Sequence, residues 1–112
     1  MADFHPIAIV GLGGVFPGAP SLERFWELIA SGSDAAGEPP EGRWLFPVDE
    51  VFDPKTAAPD KVNSKRACFI RGFSLDPAGL DLEPGFLAGL AAMFHLGLHA
   101  GREALRSADL RG

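Results

Sequence analysis

The sequence predicts an α/β fold, of which these 112 residues form an incomplete portion ordered as strand, glycine turn, helix, long loop and C-terminal helix. Three observations lead there. A β-branched apolar run, Ile7-Ala8-Ile9-Val10, ends at Gly11, as a strand buried on both faces would. A capped amphipathic segment begins at Ser21, placing a helix directly after that strand. A strand, turn and helix are the first legs of a crossover unit, which needs a second parallel strand to close. The thirty residues that follow do not clearly supply one.

Composition narrows the class. Hydrophobic residues make up 46% and charged residues 22%, which predicts a packed core rather than a disordered chain. Ten Lys and Arg against fifteen Asp and Glu give a net charge of -5, and that balance argues against nucleic acid as a partner. One cysteine, Cys68, allows no internal disulfide and no cysteine zinc site, consistent with a reducing compartment. The N-terminus has no basic region, and the apolar stretch from Ile7 to Leu12 is too short for a signal core or a membrane span, so a cytoplasmic location is expected.

Taken in order, the strand at Ile7 to Val10 runs into Gly11, Gly13 and Gly14, which free the backbone for a tight exit. Phe16-Pro17-Gly18 is then a turn signal. Ser21 is a good N-cap and Glu23 suits the positive end of a helix. Leu22, Phe25, Trp26 and Ile29 recur at helical spacing, and Gly32 fits the C′ position. From Ser33 to Ser64 no period holds, so this is a surface excursion anchored by Trp44, Phe46 and Phe52. Ala67 to Phe73 suits a short strand or hairpin arm. The last element opens near Pro84, a favoured N1 residue, and runs to Ala108 with a break near Ala91. Leu87, Leu90, Phe94, Leu98 and Leu105 line one face there, while Gly97, Ala100, Gly101 and Ala104 allow a neighbour to come close.

Three features invite a chemical reading. The glycines from Gly11 to Gly14, following a strand, suggest a dinucleotide turn. The details fail: Phe16 takes the sixth position, Pro17 and Pro20 delay the helix, and no acidic residue ends a second strand, so the structural turn is preferred. His95, His99 and Glu103 are spaced four apart and could form a zinc triplet. Arg102 and Arg106 beside them disfavour a cation, so they read as the polar flank of a helix. Cys68, near Lys65 and Arg66, could be a thiolate nucleophile. Its extended apolar setting suits a semi-buried hydrophobe better. No catalytic, cofactor-binding or metal residue is assigned.

In combination the segments carry a family pattern: Ile7-Ala8-Ile9-Val10-Gly11, Phe16-Pro17-Gly18, Phe25-Trp26-Glu27-Leu28-Ile29, Gly32 with Asp34, Arg43-Trp44, Phe52-Asp53-Pro54, Lys65-Arg66, Phe69 and Arg102-Glu103-Ala104-Leu105. The chain resembles the N-terminal part of a β-ketoacyl synthase of the polyketide or fatty acid synthase type, along nearly its whole length. The resemblance implies a thiolase-like layered fold, with residues 1–112 as an N-terminal segment. It also implies decarboxylative Claisen condensation of acyl thioesters. A cysteine later in the family's chain takes an acyl group from phosphopantetheine on an acyl carrier protein, and two histidines promote decarboxylation and bond formation. Family members usually dimerise. Cys68 falls where the family usually has glycine, and His95 and His99 match noncatalytic helix positions, so this segment alone is expected to be inactive and to bind no cofactor directly. Ala91-Ala92 replaces the Asp-Pro pair that usually opens the last helix, removing its cap. The alternatives are a noncatalytic remnant pairing with a full-length synthase and a small nucleotide-binding module.

Overall fold

The computed structural model describes residues 5–55 and 58–109. Its elements in chain order are α1 (Leu22–Ser31), β1 (Ala36–Gly37), α2 (Val48–Val51), β2 (Ala67–Cys68), α3 (Pro84–Gly89) and α4 (Ala92–Ser107). They fall into two compact units, Phe16–Phe73 and a discontinuous one made of Met1–Val15 with Ser74–Gly112.

The Phe16–Phe73 unit begins with the expected turn. Phe16 and Ala19 exchange backbone hydrogen bonds of 2.8 and 2.9 Å, and Gly18 supplies the positive φ of 72° that the reversal requires. Ala19 is buried there, 1% exposed. In α1 the Ser21 hydroxyl accepts from the Arg24 N–H at 3.3 Å, filling one of the unpaired donors at a helix start. Gly32, at φ 64°, donates to Ile29 O, and Ser33 donates to Leu28 O. Those two bonds are the Schellman closure that a glycine at C′ permits. Phe25 of α1 stacks on Phe16 with ring centroids 4.0 Å apart, so the turn and the helix hold each other by apolar contact.

The excursion after α1 has more order than its sequence suggests. β1 pairs antiparallel with β2, Ala36 opposite Cys68 and Gly37 opposite Ala67. Around this short ladder Asp34 accepts from the Ala36 N–H at 2.8 Å and from Arg66 at 2.7 Å, while Arg66 also donates to Ala36 O at 3.0 Å. One four-residue helix, α2, interrupts the loop, and Phe52 behind it bridges to Val62 in parallel. Lys65 pairs with Asp49 and lies 4.8 Å above the Phe52 ring, a distance at which a cation is drawn to an aromatic face. Trp44 and Phe52 are half-buried, as anchors should be. Phe46 is 63% exposed and anchors nothing here.

In the other unit α3 and α4 are separated at Leu90-Ala91, as the expected break near Ala91 requires. Glu83 caps α3, its carboxylate accepting from the N–H of Gly85 at 2.9 Å and of Phe86 at 2.7 Å, and Pro84 occupies the first turn. Leu87 of α3 is buried, 6% exposed. The start of α4 has no such cap: Ala91 makes no side-chain hydrogen bond.

Two expectations are corrected. Ile7 to Val10 forms no strand, and Ile7, Ile9 and Val10 are 94%, 81% and 68% exposed. A strand exists through its ladder, and no other described segment pairs with this one. The apolar faces of the helices are also only partly covered. Leu22, Phe25 and Leu28 turn inward in α1 while Trp26 and Ile29 stay exposed, and in α4 Phe94 and Leu105 are exposed. Helical period locates an apolar stripe without specifying what lies against it.

Candidate functional site

The glycine turn is the first place to look for a bound group. None of Gly11, Gly13 and Gly14 has a positive φ, so their role is not to make a left-handed turn. Gly11 and Gly13 sit on the flank of α4. A Cβ on Gly11 would meet the Ala104 carbonyl, and Ala108 Cβ at 2.8 Å. One on Gly13 would meet the Ala100 carbonyl, Ala104 N at 2.6 Å and Glu103 Cβ at 2.9 Å. The neighbour that Ala100 and Ala104 are small enough to admit is therefore this turn. A dinucleotide turn instead leaves its backbone open to a pyrophosphate at the start of the following helix. Here α1 begins only at Leu22, beyond the Phe16–Ala19 turn, and Gly11 and Gly13 are covered by α4.

Two residues of the possible zinc triplet, His95 and Glu103, have other roles. His95 Nε2 donates to Leu87 O at 2.7 Å, fastening α4 back onto α3 across the break between them. Glu103 accepts from Arg106 at 2.9 Å and lies 3.7 Å from Arg102 Nε. Among the described residues no three His, Cys, Asp or Glu side chains are grouped to hold a metal ion. Arg102 is not part of a solvated flank. Its side chain is only 11% exposed, and Nη1 donates to the carbonyls of Asp76 and Ala78 at 2.7 and 2.8 Å, tying the loop before α3 to the middle of α4.

Cys68 ends β2 at the edge of an apolar groove of 380 Å³, lined also by Phe16, Phe25, Leu28 and Ile29. No histidine or carboxylate lines it, so no general base faces the thiol. The cations close to Cys68 in sequence are already engaged, Lys65 by Asp49, Arg66 by Asp34 and Arg71 by the Glu38 carbonyl. The groove can receive an apolar side chain, and its residues offer no means of activating a nucleophile.

Electrostatics follow the same pattern. The Ala36 N–H, and then the guanidinium of Arg66, hold the Asp34 carboxyl below the usual carboxylate range. The Gly85 and Phe86 amides lower Glu83. Glu23 is lowered by its own backbone amide and the Ser21 hydroxyl. Each is a carboxylate stabilised by amides in its ionised form. None is raised toward neutrality, as a general acid would need. Glu83 was missed in the sequence, although an acidic residue directly before a proline that opens a helix is a legible cap signal.

The family described as "Beta-ketoacyl synthase, N-terminal domain" matches residues 4–112. The non-reducing polyketide synthase stmB of Aspergillus ustus is 33% identical over 108 residues, covering 96% of this chain and 5% of that protein. The non-reducing polyketide synthase Preu8 of Preussia isomera is 37% identical over 100 residues, covering 88% of this chain and 4% of that protein. Polyketide synthase PksN of Bacillus subtilis is 36% identical over 81 residues, covering 71% of this chain and 1% of that protein. The chain thus spans at most 5% of the length of these relatives. Among solved structures, the oxazolomycin ketosynthase domain OzmH KS7 of Streptomyces albus is 36% identical with a TM-score of 0.49, over 56% of this chain and 10% of that one.

Proposed function

Because the chain belongs to the β-ketoacyl synthase family, through that family's N-terminal domain, we propose that it serves as the N-terminal segment of a synthase catalysing decarboxylative Claisen condensation of acyl thioesters in polyketide or fatty acid biosynthesis. Residues 1–112 in this reading are scaffold. The acyl-accepting cysteine and the two histidines that promote decarboxylation lie outside them, in the remainder of the domain. The acyl donor is phosphopantetheine on an acyl carrier protein, a partner of the assembled synthase rather than of this segment. The synthase works as a dimer in the cytoplasm.

One observation carries the scaffold reading. Ile7, Ile9, Val10 and Leu12 are exposed by 94%, 81%, 68% and 58%, although the chain directly after Val10 is fixed against α4. An apolar β-branched run in that position suits a sheet strand whose neighbours come from elsewhere in a larger domain. Residues of the family pattern support the same reading. Asp34 with Arg66, Phe52 with Lys65, and Arg102 with the Asp76 and Ala78 carbonyls are internal braces.

The test is acyl transfer from an acyl-pantetheine thioester, followed by intact mass. The isolated chain should gain no acyl adduct, whereas a ketosynthase domain in which this chain replaces the corresponding segment should be acylated at its own nucleophile. Acylation of the isolated chain that Cys68→Ala abolishes would overturn the proposal.

A further inference from the structure

We draw no further inference here: the strongest candidate, the apolar groove of the Phe16–Phe73 unit beside Cys68, rests on a lone cysteine and an uncovered apolar surface, and nothing in the structure shows what fills it.

Discussion

Substituting Gly13 by alanine tests whether the glycine turn exists for close approach. The new Cβ would meet Ala104 N at 2.6 Å and Glu103 Cβ at 2.9 Å, with the Ala100 carbonyl closer still. Two of those atoms are helix backbone, held by the hydrogen bonds of α4, so neither can swing aside as a side chain could. Relief to an ordinary contact near 3.5 Å requires the turn and the helix to separate by about 1 Å. Forcing a methyl into a packed contact costs about 1–3 kcal/mol, and here the upper end applies because the obstruction is main chain. Hydrogen exchange of the α4 amides, followed residue by residue, should show protection falling by about a hundredfold around Ala100 to Ala104, since about 1.4 kcal/mol is a factor of ten. Ala104→Gly should fail to restore it, because the clash does not involve the Ala104 side chain. Gly97→Ala and Gly101→Ala provide the contrast. Nothing lies within 4 Å of a Cβ at either site, so each should strengthen α4 by about 1 kcal/mol through helix propensity. Unchanged protection in Gly13→Ala, or equal loss in all three variants, would refute the close-approach argument.

Further predictions concern caps, acid and association. Ala91→Asp should stabilise α4 by about 1 kcal/mol, because Ala91 already has extended backbone at φ -65° and ψ 152° and lacks a capping bond; exchange rates at Met93 and Phe94 no slower than before would contradict this. Asp34 and Glu83 have lowered folded-state pKa values, so their contribution is complete above the unfolded carboxylate value of about 4 and is lost as pH falls through the lower folded value. NMR should therefore show the Ala36, Gly85 and Phe86 amides losing their hydrogen-bonded shifts in acid, with Asp34→Asn abolishing the Ala36 transition alone. The exposed Ile7, Ile9, Trp26 and Phe94 should drive concentration-dependent self-association in sedimentation, and a monomer with a sharp cooperative melt would be incompatible with so little burial.

Local signals were legible where the residues that make a feature are close in sequence. Ser21 and Gly32 bracket α1 by bonds that reach only three to five residues, and the Phe16-Pro17-Gly18 reversal closes within four. The α3–α4 break followed from Pro84 and Ala91 for the same reason. Ile7 to Val10 misled because apolar, β-branched composition records suitability for a ladder without providing one. Trp26 and Phe46 misled similarly: size and hydrophobicity say that a side chain gains from burial, while the partner that buries it is specified elsewhere. The chemical readings turned on distant pairing. Lys65 and Arg66 look available to Cys68 until Asp49 and Asp34 are seen to hold them, across 16 and 32 residues. Gly11 and Gly13 suggest a ligand turn until Ala100 and Ala104 are seen to fill the space.

That last contact has a consequence for biosynthesis. The turn at Gly13 leaves the ribosome roughly ninety residues before Ala104, which at about 5–20 residues per second is a delay of several seconds. The Phe16–Phe73 unit is continuous in sequence and can close during that interval, with Arg66 reaching back to Asp34 soon after it emerges. The Ile7–Leu12 segment has no such early partner. Its apolar side chains stay uncovered even once α4 has been made, so a chaperone that recognises short aliphatic stretches would find a target there.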